Sequence, residues 1–282
     1  MTPLTKKLAR LYNDQTKHSR YQNIPDFVRQ ALNYSETIDE NWRGDSARYR
    51  YLLEELACMT GGIFGDIGAN TGFFTFSLAH LMKEKVFYAY DMNKKHIQFM
   101  ELIKDYFGME NIHIKLHGVD LYGIEKLPIH HVLIHFNVLH HGGVDFDQKY
   151  VMNEHIFSNY ARLYLSKLRR FTSFMYFQMG YNWGGNKKKP IISVDNQEAM
   201  IRYQANLFMQ CGWEIGKIAL FNYTEKKYFN LPSSTLEAVC KHTADGLSEI
   251  IDSYRMNKAS EFYKRPLLLV KNPDFKKQYI KP

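Results

Sequence analysis

Four residues, Asp66, Gly68, Gly72 and Asp91, have the types and spacing that point most directly to chemistry. Residues 65–74 read GDIGANTGFF, between a short apolar run and a helix-like stretch. Gly68 and Gly72 let a backbone approach a ligand closely, and the first N–H groups of the following helix are free to face it. A dinucleotide loop reads G-x-G-x-x-G; the position of its third glycine is Phe73 here, which disfavours a dehydrogenase. A pyrophosphate is best served by a loop without carboxylates. Asp66 suits a ligand that carries a cationic amino group. Asp91 ends the run YAYD, 91 − 68 = 23 residues beyond Gly68. An acid about 20 residues past the loop, at the tip of the second strand, suits the hydroxyls of a ribose. It is also placed to cap the next helix, and the two roles are compatible.

Two further groups carry chemistry. Histidines gather at His130, His131, His135, His140 and His141. His131 and His135 sit four apart on an apparent strand and point to one face, but no third ligand accompanies them, so no metal is expected. His135 reads as a packed strand residue. His140, and after it His141, fits a general base, since imidazole titrates near neutrality. The stretch GYNWGGNKKKP, residues 180–190, offers stacking through Tyr181 and Trp183 and anion binding through Lys187, Lys188 and Lys189. Its two adjacent glycines suggest mobility. It reads as a substrate loop.

These residues need a frame. Residues 4–58 read as helical, with Asp45 placed to cap DSARYRYLLEELACM and Gly61-Gly62 ending it. From Gly62 strand-like and helix-like runs alternate: IFGDI, TGFFTFSLAHLMK, KVFYAYD, KKHIQFMELIKDYFG, IHIKL, VLIHFNVL, a long amphipathic helix from residue 150, FTSFMYFQM, a helix opened by Asp195-x-x-Glu198, then WEIGKIALF and RPLLLVK. Gly108 and Gly212 stand where C-terminal glycines belong. Such alternation implies an α/β fold with a mostly parallel sheet and helices on both faces. Segment 222–262 shows no strong strand and reads as helices or a lid.

The set Asp66-Ile-Gly68-Ala-Asn70-Thr-Gly72, then Asp91, then Asn137-Val-Leu-His140-His141 resembles the class I S-adenosylmethionine-dependent methyltransferases, from about residue 60 to 270. The resemblance implies a Rossmann-like, seven-stranded sheet with N-terminal helices and a helical insertion before the last strand. It implies domains at 1–58 (a helical cap) and 59–282 (the methyltransferase domain). It implies S-adenosyl-L-methionine as cofactor. Asp66, Gly68, Asn70 and Gly72 would wrap its methionine part, and Asp91 with Met92 would hold the ribose. An acid after the third strand commonly meets the adenine amino group; Asp120 is the choice and Glu125 its competitor, and spacing does not decide. Phe136 and Asn137 would lie beside the cofactor and His140 at the entrance to the substrate pocket. A narrower likeness joins Trp42-Arg43-Gly44-Asp45 to the tRNA uridine carboxymethyltransferases. The fourth-strand tyrosine of that group is His140 here, and GYNWGGNKKKP has no counterpart there. Plain S-adenosylmethionine and a different acceptor are therefore expected.

Composition bounds the remaining classes. The chain has 282 residues, 45% hydrophobic, enough for one large core and a small extra lobe. No run approaches the roughly 20 apolar residues of a membrane span, and the first residues lack a secretory h-region. Cys58, Cys211 and Cys240 are far apart, which suggests reduced thiols in the cytoplasm. A net charge of +8 keeps anionic partners open. The leading reading is O-methylation of a small polar or phosphorylated acceptor such as a sugar precursor. The second reading makes tRNA the acceptor and predicts steep salt dependence. A third is a non-catalytic domain of the same fold. Oligomeric state is not legible.

Overall fold

A computed structural model describes residues 2–13, 20–35, 38–57, 62–243 and 246–275. Cys58, Gly61 and the expected boundary at residue 58 lie outside these. The chain divides into two compact units, Met1–Val119 and Asp120–Pro282.

The first unit begins with helices α1 (Pro3–Tyr12), α2 (Asp26–Leu32), α3 (Glu40–Arg43) and α4 (Asp45–Leu56). Then come β1 (Ile63–Ile67), α5 (Phe73–Leu81), β2 (Val86–Asp91), α6 (Lys94–Phe107) and β3 (Ile112–Leu116). The three strands are parallel, in the order β3-β2-β1. Burial of Phe64, Phe74, Phe76, Phe87 and Phe99 makes the core, with the Phe64 and Phe87 rings 5.1 Å apart across β1 and β2. Each such side chain contributes about 1.5–3 kcal/mol on burial.

Two caps differ from expectation. Gly44, at φ 69°, is the N-cap of α4, and Asp45 is its first helical residue. Asp45 is buried, pairs with Arg48 and accepts the Asn23 N–H at 2.7 Å. Its carboxyl is divided between Arg48 of the same helix and the Asn23 N–H. At α6 the cap is Asn93, whose side chain accepts the Lys95 N–H. Asp91 sits two residues earlier and accepts the N–H of Asn93 itself.

The second unit contains β4 (His130–Phe136), α7 (Phe157–Leu168), β5 (Thr172–Gln178), α8 (Gln197–Gln210), β6 (Glu214–Asn222), β7 (Lys227–Asn230), α9 (Ser233–Lys241), α10 (Leu247–Ser253), α11 (Glu261–Lys264) and β8 (Leu267–Lys271). Its strands are ordered β4-β5-β8-β6-β7. β4 and β5 are parallel; β8 is antiparallel to β5 and β6, and β7 to β6. The cap of α8 is Asn196, which accepts the Ala199 N–H at 2.9 Å, one residue after the expected Asp195.

The fold is α/β, with a central, mostly parallel sheet of eight strands among the described residues. The strand beyond the expected seven is β7, within the segment read as helices or a lid. Tyr228 and Phe229 pair with Phe221 and Leu220 of β6. No helix among the described residues is long and apolar enough to cross a membrane.

Candidate functional site

The glycine loop lies in the first unit, between β1 and α5. Parallel pairing in register brings the end of β1 beside the end of β2, Ile67 opposite Tyr90. The chain then turns across the tip of β2: the N–H groups of Gly68 and Ala69 both donate to the Tyr90 carbonyl, at 2.9 and 3.0 Å. Gly68 (φ 71°), Asn70 (φ 52°) and Gly72 (φ 83°) all take left-handed conformations. Asparagine tolerates this region better than most residues, which explains why Asn70 can stand where the family pattern often has glycine. At Gly72 a Cβ would also lie 2.6 Å from the Phe76 ring.

Asp91 locks this turn. Its Oδ2 accepts the Asn70 N–H at 2.8 Å, and its Oδ1 accepts the Asn93 N–H at 2.8 Å and faces His96 Nδ1 at 3.2 Å. A carboxylate has about four acceptor positions. Three are occupied, and the one left is on Oδ2, on the loop side. Met92 is exposed.

Asp66 is buried beneath the loop and accepts the Thr75 hydroxyl at 2.8 Å. Burial pushes its carboxyl up to about 7, the Thr75 hydroxyl opposes this, and the charge of Asp91 adds to it. Among the described residues no cation faces it. Thr71 completes the picture: its hydroxyl oxygen is buried with no hydrogen-bond partner among the described residues.

In the second unit, the end of β4 carries a buried polar network. Asn137 is left-handed (φ 60°) and buried. Its N–H donates to the Gln178 carbonyl at 2.7 Å, and its side-chain amide donates to Gln178 Oε1 at 3.2 Å. Its Oδ1 accepts from Arg265 at 2.7 Å. Arg265 is 4% exposed, also donates to Glu261 at 2.6 Å and stacks on Phe262. Gln178 closes the circle by donating to the Arg265 carbonyl at 3.0 Å. Phe136 is buried at the end of β4.

His140 and His141 follow in a single 3₁₀ turn, their rings 4.3 Å apart. His140 Nδ1 accepts the Gly180 N–H at 3.2 Å. Its proton therefore sits on Nε2, and its acceptor nitrogen is taken. Burial first, then His141 and Arg265, hold its pKa well below the usual histidine range. His141 differs: its Nδ1 faces Asp145 Oδ2 at 2.8 Å. A carboxylate so placed can orient the ring.

The acids after the third strand have separate duties. Asp120 accepts the N–H groups of Tyr122 and Gly123 at 3.1 and 2.6 Å, folding the turn that follows it. Glu125 is taken by Lys167 at 2.7 Å and Arg170 at 3.1 Å.

Residues 180–190 fold into a turn. Gly184 (φ 61°) and Gly185 (φ 74°) supply left-handed positions for a tight turn. The Trp183 N–H donates to the Lys189 carbonyl at 2.9 Å, closing it. The aromatic rings are not offered for stacking. Tyr181 is fully buried and donates to the Lys264 carbonyl at 2.8 Å. Trp183 is buried, donates to the Gly142 carbonyl at 2.8 Å and has Lys189 over its ring. Lys187 and Lys188 are exposed.

His135 is packed, as its place on the strand implied: it faces the Tyr164 hydroxyl at 3.2 Å, and burial lowers its pKa to about 4. His130, equally buried, is lowered to about 4 by the same cause. Sequence reasoning missed Thr75, Asp145 and Arg265. Asp145 had a signal, its spacing of four from His141. Arg265 had none.

By sequence, no family model and no curated protein matches the chain. Solved structures do match its fold. The bifunctional kinase-methyltransferase WbdD aligns with TM-score 0.53 and 16% identity, over 94% of this chain and 46% of that one. Monomeric WbdD gives TM-score 0.52 and 15% identity, over 94% and 48%. The chain thus spans about half the length of WbdD. Magnesium protoporphyrin IX methyltransferase (ChlM) from Synechocystis PCC 6803, with bound S-adenosylmethionine, aligns with TM-score 0.51 and 12% identity, over 95% and 96%. The chain has the fold of the class I S-adenosylmethionine-dependent methyltransferases.

Proposed function

We propose that this protein is an S-adenosylmethionine-dependent O-methyltransferase whose acceptor is a small polar or phosphorylated molecule such as a sugar precursor. One observation carries the donor: a left-handed glycine loop, tied to Asp91, covers a buried carboxyl that no cation faces among the described residues. The residues fit the group. Asp66 matches the ammonium of an amino-acid tail, and the open position on Asp91 Oδ2 matches one ribose hydroxyl. The orphaned Thr71 hydroxyl gains a partner.

Bound S-adenosylmethionine supplies an electrophilic methyl on a sulfonium. The protein's tasks are then orientation and proton removal. His141 is the base in this reading, with Asp145 beside it, and takes the proton of the acceptor hydroxyl. His140, its acceptor nitrogen engaged by Gly180, holds the turn and presents Nε2–H as a donor. Lys187 and Lys188 give the acceptor's anionic group its partners. Residues 1–58 act as a cap beside the donor loop.

Release of S-adenosylhomocysteine, measured against sugars, nucleotide sugars, phosphorylated metabolites and tRNA, tests the reading. Turnover with a phosphorylated small molecule is expected. Turnover with tRNA alone would replace the acceptor, and absence of donor binding would overturn the whole reading.

A further inference from the structure

The segment just before α2 is held from three sides. The Tyr12 hydroxyl donates to the Gln22 carbonyl at 2.7 Å. The buried Asp45 accepts the Asn23 N–H at 2.7 Å, and Glu40 accepts from the Asn23 side chain at 2.6 Å. Arg43 lies over the Tyr21 ring, 4.0 Å from its centre. Ile24 is fully buried. So fixed a backbone allows little freedom to the side chain between these anchors, and Gln22 is itself buried.

Gln22 Oε1 accepts the N–H of Phe73, the first helical residue of α5, at 3.3 Å. An N–H requires an acceptor, so the oxygen must face it. The other end of the same planar amide is therefore held beside the same helix start. Among the described residues no acceptor takes its Nε2 protons. Immediately before this helix start, in the glycine loop, stands the buried and unpartnered Thr71 hydroxyl. A donor-rich helix start, an orphaned hydroxyl and an uncommitted amide nitrogen converge on the loop of the first unit. No anion among the described residues answers them, and the macrodipole favours one there.

We infer that Gln22 is a donor-binding residue, whose amide nitrogen donates to the carboxylate of the methyl donor's amino-acid tail while its oxygen holds the Phe73 N–H. This rests on the reading of the loop as an S-adenosylmethionine site. The N-terminal segment is thereby part of that site, and it selects for the amino-acid end of the donor. Ammonium and carboxylate are separated, the first to Asp66 and the second to Thr71 and Gln22.

The test introduces a charge while preserving the structural contact. Gln22→Glu keeps an acceptor for the Phe73 N–H and places negative charge at the helix start. It sets like charge against the donor's carboxylate. Titration calorimetry on the full chain compares wild type, Gln22→Glu and Gln22→Met with S-adenosylhomocysteine, S-adenosylmethionine and decarboxylated S-adenosylmethionine, with thermal melting as the check on folding. The expected result is a loss of about tenfold or more in affinity of Gln22→Glu for the two carboxylated ligands, a hydrogen bond to a charged group being at stake. Little change is expected for the decarboxylated one, and a cooperative melt shows that the variant is folded. Gln22→Met should lose affinity for the carboxylated ligands alone. Wild-type binding with equal affinity in both variants overturns the inference and leaves the function standing. Failure of the wild type to bind any of the three ligands overturns both.

Discussion

The backbone N–H of Asn70 donates to the carboxylate of Asp91 at 2.8 Å, so the glycine loop and the tip of β2 are one hydrogen-bonded piece. The acid that the sequence offers to a ribose is also the acid that shapes the loop.

Asp91→Asn should therefore damage more than a ligand contact. An amide places a donor where either the Asn70 or the Asn93 N–H needs an acceptor. The cost is about 1–3 kcal/mol of stability, together with a loss of donor affinity. Chemical denaturation and calorimetry on the same variant check both. Unchanged stability with lost affinity would show that Asp91 does not hold the loop.

Asp66 predicts a pH signature. Its folded pKa of about 7 lies above the usual 3.8, so the folded protein holds a proton that the unfolded chain has lost. Its unfavourable contribution to stability is absent below about pH 4, grows as pH rises and is complete above about 7. Asp66→Asn should raise stability at pH 8 by roughly 2–4 kcal/mol and leave it unchanged at pH 4. The same variant should bind the donor more weakly. In the wild type, binding at pH 6 should release a proton, measurable by calorimetry in buffers of different ionisation heat. Release should vanish at pH 8 and in the variant.

The two adjacent histidines should separate in kinetics. His141→Ala should lower kcat by about 10²–10⁴-fold, with Tm little altered. Asp145→Asn should give a smaller loss in kcat. His140→Ala should lower Tm, since Gly180 loses its acceptor and a buried ring is removed. If His140→Ala alone abolishes turnover in a folded protein, the roles are reversed.

Within residues 180–190 the lysines and the tryptophan should also part company. Lys187→Ala with Lys188→Ala should raise KM for a phosphorylated acceptor several-fold without shifting Tm. Trp183→Ala should lower Tm, because a buried ring and its bond to the Gly142 carbonyl are lost, at about 3–5 kcal/mol. An unchanged KM in the double lysine variant would remove this loop from acceptor binding.

The legible parts of the chain are those written locally. Alternating strand and helix patterns carried the fold, because each βα unit has its own period and some have a closing glycine, as at Gly108. The loop and Asp91 were legible because parallel pairing brings the ends of neighbouring strands together. Other features were hidden for physical reasons. KYFN is too short and too closely flanked by lysines to read as a strand until β6 is there to pair with it. Tyr181 and Trp183 read as stacking surfaces because their types suit that use; burial is decided by groups far along the chain, such as the Lys264 carbonyl. The asymmetry between His140 and His141 depends on Gly180 and on the spacing to Asp145, and only the second can be seen in one dimension. Gln22 and Phe73, 51 positions apart, could not be paired by any local rule.

The guanidinium of Arg265 reaches across 128 positions of sequence to hold the side chain of Asn137. Asn137 itself is in the left-handed conformation, which asparagine tolerates better than most residues. During synthesis, β4 is made long before Arg265 leaves the ribosome, so the chain between them waits without its clasp. A chain cut short of Arg265 therefore keeps the glycine loop of the first unit but lacks the clasp on the end of β4.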